Sequence, residues 1–167
     1  MCIRDRYYVG PYVVYEQDLA FVLEDKLGIC GYVLGAKDTK IFFKAMTEKW
    51  LPKYQKRFPM PKGDPKNWNL DQKIIALIHN PKVSIPDSLN NFPAHLHIDL
   101  LPRARKKGNG RRMIETLHKK LEILGIKGVF LDVGINNLNA QSFYEKIGYK
   151  KLEVTPSQDG LFMIHQL

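Results

Sequence analysis

Residues 94–117 read AHLHIDLLPRARKKGNGRRMIETL. From Ala94 to Leu101 side chains alternate, with His95, His97 and Asp99 on one face and Leu96, Ile98 and Leu100 on the other, the period of a strand. Pro102 breaks the alternation, and the stretch to Gly110 is a basic loop containing Gly108 and Gly110. From Arg111 to Leu124, apolar residues recur at Met113, Ile114, Leu117, Leu121 and Leu124, the stripe of an amphipathic helix. Gly125 ends it as a C-terminal cap. A strand, a glycine-bearing loop and a helix in immediate succession make an anion site. The first N–H groups of a helix lack carbonyl partners and carry partial positive charge, and a diphosphate suits them.

The loop itself spells Arg105-Lys106-Lys107-Gly108-Asn109-Gly110, the pattern Arg/Gln-x-x-Gly-x-Gly/Ala. So short a pattern arises in roughly one unrelated chain in ten of this length, so its surroundings must carry it. They agree: Pro102 stands ahead of Arg105, a strand precedes and a helix follows without delay. Further on, Gly128–Ile135 reads as a largely apolar central strand. After it come Asn137-Leu138-Asn139-Ala140-Gln141-Ser142-Phe143-Tyr144-Glu145-Lys146-Ile147-Gly148-Tyr149, a short helix from Leu138 to Ile147 capped by Gly148. Together the two blocks resemble the coenzyme A loop and the Asn-x-x-Ala-x-x-aromatic-Tyr-Glu-Lys-x-Gly-aromatic signature of the GNAT acetyltransferases. The stretch from Pro93 to Pro102, with Gly31-Tyr32-Val33-Leu34-Gly35-Ala36, is similar to the subgroup related to the acetyltransferase-like domain of eukaryotic O-GlcNAcase.

That resemblance implies an α/β GNAT fold, a mixed and mostly antiparallel sheet flanked by helices. It also implies an N-acetyltransferase that passes an acetyl group from acetyl-CoA to a primary amine by direct attack in a ternary complex, with no metal. The coenzyme would be held by the loop of Arg105, Lys106, Lys107, Gly108, Asn109, Gly110 and Arg111 and by the strand backbone at Ile98 and Leu100. Asn137 would bond the pantetheine arm, cap the helix, or both. Tyr144 is the candidate general acid beside the coenzyme sulfur; its alternative is a helix aromatic packed on the sheet. An amine near its unperturbed pKa of about 10.4 must lose a proton before it attacks. Asp99 is the first candidate for that base, as the residue nearest the thioester, and His97 the second; the alternative is that both are satisfied polar groups on a partly buried strand.

The first half is less distinct. Tyr12–Glu24 and Gly28–Leu34 read as two strands joined by a turn at Asp25-Lys26. Thr39–Lys49 has helical spacing, with Asp38 or Thr39 as N-cap, and Pro52 should end or kink that helix. Phe58–Trp68 reads as a loop, Leu70–Ile78 as a helix after Asn69, and Asn80–Pro93 as irregular. Tyr149–Val154 and Leu161–Gln166 look like a closing hairpin. The expectation is a single domain over 1–167, with Met1–Arg6 non-native and the family's N-terminal strand and helices missing.

Across 167 residues, hydrophobic content is 44% and charged content 26%, as in ordinary globular proteins. No apolar run reaches membrane-spanning length and none has the flanks of a secretory signal, so the cytoplasm is the default compartment and no membrane partner is expected. Cys2 and Cys30 form neither a disulfide framework nor metal spacing. The net charge of +9 favours an anionic partner, and basic clusters lie at Lys49–Lys66 and Arg103–Arg112. Nucleic acid fits the second cluster poorly, because it holds no aromatic residue to stack a base. A non-catalytic acyl-CoA-binding module on the same fold remains the alternative to an enzyme, the amine acceptor is unidentified, and a homodimer stays open.

Overall fold

Among the described residues, six strands form one sheet in the order β1-β2-β3-β4-β6-β5, antiparallel everywhere except between β3 and β4. The strands are β1 (Ala20–Asp25), β2 (Gly28–Ala36), β3 (Ala94–Leu100), β4 (Gly128–Gly134), β5 (Lys150–Lys151) and β6 (Gly160–Gln166). The computed structural model describes residues 2–152 and 160–167, so Met1 and the end of the expected strand at Val154 lie outside the described residues. The chain packs as two compact units, residues 18–39 with 86–167 and residues 1–17 with 40–85.

The first of these units holds the whole sheet. Its parallel pair is joined through α6 (Asn109–Ile123), and α7 (Leu138–Lys146) follows β4. The predicted alternation sets the layers. Val33, Leu96, Val129, Leu131, Val133 and Met163 join the α6 residues Met113, Ile114, Leu117 and Leu121 in one buried cluster. Glycines permit this closeness: a methyl on Gly35 would lie 2.7 Å from Leu117 Cδ1. The opposite face carries His95, whose ring lies 5.8 Å from that of Phe130, and His97, 5.6 Å from Tyr32.

The other unit is helical: α1 (Ile3–Tyr8), α2 (Gly10–Tyr15), α3 (Thr39–Ala45), α4 (Leu51–Arg57) and α5 (Leu70–His79). Phe42, Met46, Trp50, Leu51, Tyr54, Ile74 and Ile78 are buried. Asn69 caps α5, accepting from Gln72 N–H at 2.9 Å while Gln72 Oε1 accepts from Asn69 N–H.

One expectation is corrected, and another takes a particular form. The hairpin begins at Ala20 rather than Tyr12, and α1 and α2 stand ahead of it where the sequence reading placed no helices. Tyr12 and its neighbours Val13 and Val14 favour strands by type, but Pro11 presets the first turn of α2 and Tyr12 packs on Phe42 with ring centroids 4.4 Å apart, so packing overrides propensity. Helical structure changes geometry, rather than stopping, at Pro52. A π-helical turn at Met46–Trp50 precedes it, and the chain re-enters α-geometry at Leu51 with Pro52 in the first turn. A proline there needs no N–H partner, and the widened turn behind it relieves the ring's clash with the carbonyl four residues back.

Candidate functional site

The parallel pair is the key to the site. Its ladder comprises only Ala94↔Val129 and His95↔Phe130, after which β3 and β4 diverge although both continue for several residues. Leu101 N–H donates to Cys30 O at 2.9 Å, which marks the residues of β3 whose backbone faces β2. By alternation, the N–H and C=O groups of Leu96, Ile98 and Leu100 face β4. Ile98 therefore presents its N–H and C=O, and Leu100 its N–H, to the gap where a pantetheine arm is expected from the sequence, while Leu100 O accepts from Arg105.

At the end of β3 the chain makes a 3₁₀ turn at Pro102–Ala104 and enters the loop. Lys106 has φ 60° and Gly108 φ 72°, both left-handed, so two reversals fall within three residues. The helix starts at Asn109, two residues before the predicted Arg111, and Gly108 provides no side-chain cap. The first α6 N–H with a described acceptor is that of Arg112, which donates to Gly108 O at 3.1 Å. Asn109, Gly110 and Arg111 thus open the helix with N–H groups that have no intrahelical acceptor, so this end can bind an anion. A methyl on Gly108 would meet nothing within 4 Å, so the approach to these groups is open. A methyl on Gly110 would lie 3.1 Å from Phe143 Cζ and 3.5 Å from Leu100 Cδ1, so β3, α6 and α7 meet at that glycine.

Most arginines of the loop are engaged by the protein itself. Arg103 donates to Asp25 at 3.0 Å and to the carbonyls of Gly28 and Ile29, fastening the β1–β2 turn to the loop, and it holds the Asp25 carboxyl below the usual carboxylate range. Arg105 Nε donates to Leu100 O at 2.7 Å and its guanidinium stands 3.8 Å from Asp99. Arg111 pairs with Glu115 at 2.7 Å. Asn109 Nδ2 donates to Ala104 O at 2.9 Å and its Oδ1 accepts from Arg112, so this side chain braces the loop against the helix. Lys106 and Lys107 are exposed.

On α7, Tyr144 follows Phe143, with ring centroids 5.2 Å apart, and packs against the sheet core. Burial pushes its phenol up to about 12, so the hydroxyl keeps its proton across the physiological range. Asn137 is a helix cap, its Oδ1 accepting from Ala140 N–H at 3.2 Å. Its neighbour Gln141, which the sequence reading left without a role, is buried and donates to Gly134 O and Ile135 O, clasping the β4–α7 turn. A polar residue on the inner side of a short helix was the signal for it.

The three polar residues of β3 have separate partners. Thr39 donates its hydroxyl to Pro93 O at 2.7 Å, so its oxygen accepts from His95 Nδ1–H at 2.8 Å. Burial, then the nearby His97, lowers the His95 pKa to about 3, so this imidazole is neutral and structural. His97 Nε2 lies 3.1 Å from the Tyr32 hydroxyl, half-buried. Asp99 is exposed beside Arg105, its side chain 59% accessible. The β2–β3 register, with Tyr32 opposite Asp99 and Leu34 opposite His97, brings Tyr32 to His97 across the two strands.

The Acetyltransferase (GNAT) family model matches residues 39–149, two thirds of the chain. The chain belongs to the GNAT acetyltransferase family. It is 32% identical over 141 residues to rat protein O-GlcNAcase, a match that covers 84% of this chain and 15% of that protein. Of the solved structures, SsHAT superposes with a TM-score of 0.86 at 35% identity, covering 98% of this chain and 80% of that one. The Salmonella typhimurium protein yncA, solved with its cofactor acetyl-CoA, shares the fold at a TM-score of 0.52 and 14% identity over 90% of this chain and 67% of that one.

Proposed function

We propose that the chain is an acetyl-CoA-dependent N-acetyltransferase whose acceptor is a primary amine. One observation carries this reading: the GNAT signature residues converge where an unpartnered helix N-terminus meets a strand pair that parts after two residues. The fit to coenzyme A rests on chemistry visible in the chain. Unpartnered N–H groups at Asn109, Gly110 and Arg111 suit a diphosphate, the open side of Gly108 admits it, and the backbone at Ile98 and Leu100 suits an amide-bearing arm. Bound acetyl-CoA would supply the activated acetyl thioester.

The chain's own groups then have distinct tasks. Backbone N–H groups of β3 facing the gap would hold the carbonyl oxygen as it gains negative charge. His97, half-buried and bonded to Tyr32, suits the base better than Asp99, which is more exposed and ion-paired to Arg105; this reverses the order expected from sequence. Tyr144 would donate a hydrogen bond to the departing sulfur. A phenol near 12 holds its proton more tightly than a thiol of about 8.5, so donation without complete transfer is the chemistry it supports. Asn109 and Arg105 would act on the loop by bracing it.

The test is release of coenzyme A thiol from acetyl-CoA with a panel of primary amines, for the native chain and Tyr144→Phe. A fall in kcat of about a hundredfold to a thousandfold with little change in the KM for acetyl-CoA is expected, the scale for loss of one donor to developing negative charge. Binding of acetyl-CoA without turnover on any amine would instead identify a coenzyme-binding module that does not catalyse transfer.

A further inference from the structure

Most of the net positive charge of this protein falls within the helical unit. Residues 1–17 and 40–85 hold twelve lysines and arginines against five aspartates and glutamates, a net of +7 out of the chain's +9. Within that unit, Lys49, Lys53, Lys56, Arg57 and Lys62 occur in a stretch, 49–63, with no acidic residue. All five are exposed, and none has a carboxylate within ion-pair distance among the described residues. Lys49, Lys53, Lys56 and Arg57 recur at helical spacing around α4 while Leu51 and Tyr54 point inward, so the four cations share one face. That face is about 12 Å long at about 1.5 Å per residue.

We propose that this face is a docking surface for an acidic, partly apolar segment of another polypeptide. The partner's sign follows from charge complementarity, since like charge would be repelled and unneutralised lysines draw carboxylates. Its class follows from the neighbouring groups. Trp50 and Tyr54 are 5% and 8% exposed, and Lys53 Nζ lies 3.4 Å from the Trp50 ring centroid, so neither ring is available to stack a nucleic-acid base. Only one of the five cations is an arginine, which leaves little of the forked geometry that grips phosphate. Met60, 41% exposed just beyond Arg57, offers apolar contact that a peptide side chain can use and a phosphodiester backbone cannot. This surface is independent of the acetyl-transfer reading.

The experiment is fluorescence anisotropy on the full chain with two probes: a labelled peptide of about ten residues mixing glutamate and leucine, longer when extended than the face, and a labelled DNA duplex of about 20 base pairs. Each is titrated at low and at raised salt, for the native chain and for Lys49→Glu/Lys56→Glu. Peptide binding that weakens about tenfold or more in the double variant, and again as salt screens the face, is the expected result. Unchanged thermal unfolding would show that the variant is folded, and the milder Lys49→Gln/Lys56→Gln pair should give an intermediate affinity. Equal peptide affinity in native and variant chains, no peptide binding at low salt, or tighter binding of the duplex than of the peptide would each overturn the proposal.

Discussion

Replacing each loop glycine by alanine separates two physical reasons for a glycine. Gly108 sits at φ 72° with nothing within 4 Å of an added methyl, so Gly108→Ala meets backbone strain and no clash. A left-handed alanine costs about 1–2 kcal/mol, partly offset by about 0.5–1 kcal/mol from a less flexible unfolded chain. A net loss of about 1 kcal/mol should lower the Tm by about 2–4 °C in a chain of this size. Gly110 has no left-handed φ, but its methyl would approach Phe143 Cζ to 3.1 Å, so the ring must shift by a few tenths of an ångström. That cost opposes the gain of up to about 1 kcal/mol when alanine replaces glycine in a helix, so Gly110→Ala should be near neutral in stability. Urea unfolding reads both effects, and calorimetric titration with coenzyme A reads the consequence for the loop. Gly108→Ala should weaken binding because it redirects the N–H groups that open α6. A Gly108→Ala variant as stable as the native chain, with Gly110→Ala the more damaged, would refute this division of roles.

Acid should destabilise the sheet-bearing unit through two histidines. The folded pKa values of His95 and His118 are lowered to about 3 and about 4, mainly by burial. A lowered histidine pKa means that the folded state binds fewer protons than the unfolded one below about 6.5, so stability is full above that pH and falls as pH drops towards the folded values. The loss should be about 2 kcal/mol per group between pH 6.5 and 5. Urea midpoints at pH 7 and pH 5 check it, with a shallower fall in His118→Gln, and coincident midpoints would contradict it. Separately, Gly35→Val should cost about 1–3 kcal/mol, because even its first carbon would lie 2.7 Å from Leu117 Cδ1 in a fully buried layer; an unchanged unfolding midpoint would show that the layer can yield.

Residues 94–149 were legible because their patterns are local. Alternation from Ala94 to Leu101, the apolar stripe through Leu117 and Leu121, and glycines at Gly125 and Gly148 each fix their own segment, and the strands and helices fall within two residues of the expected bounds. The region before Ala20 was not legible in this way. Its valines and tyrosines have strand propensity, but the contact of Tyr12 with Phe42, thirty residues on, decides for helix. The π-turn at Met46–Trp50 was hidden for a different reason: helical periodicity survives a single widened turn. Within the site, the loop and the α7 signature could be read, whereas the pairing of His97 with Tyr32 required the register of β2 against β3.

Charge is where sequence and structure diverge most. The density of arginine and lysine at 103–112 suggests that positive side chains recognise the anion. In the folded protein Arg103 fastens a hairpin turn, Arg105 ties down the end of β3, Arg111 pairs within the helix and Arg112 meets Asn109. These arginines shape the loop, and on the proposed reading the groups left to face an anion are backbone N–H donors and the lysines Lys106 and Lys107. Backbone donors are fixed by φ and ψ, which is why a left-handed Gly108 matters more here than another cation would. On the α4 face Lys49, Lys53, Lys56 and Arg57 also have no carboxylate within ion-pair distance among the described residues, so, if both proposals hold, the chain's overall basicity bears more on what that face would attract than on how the loop would hold a diphosphate.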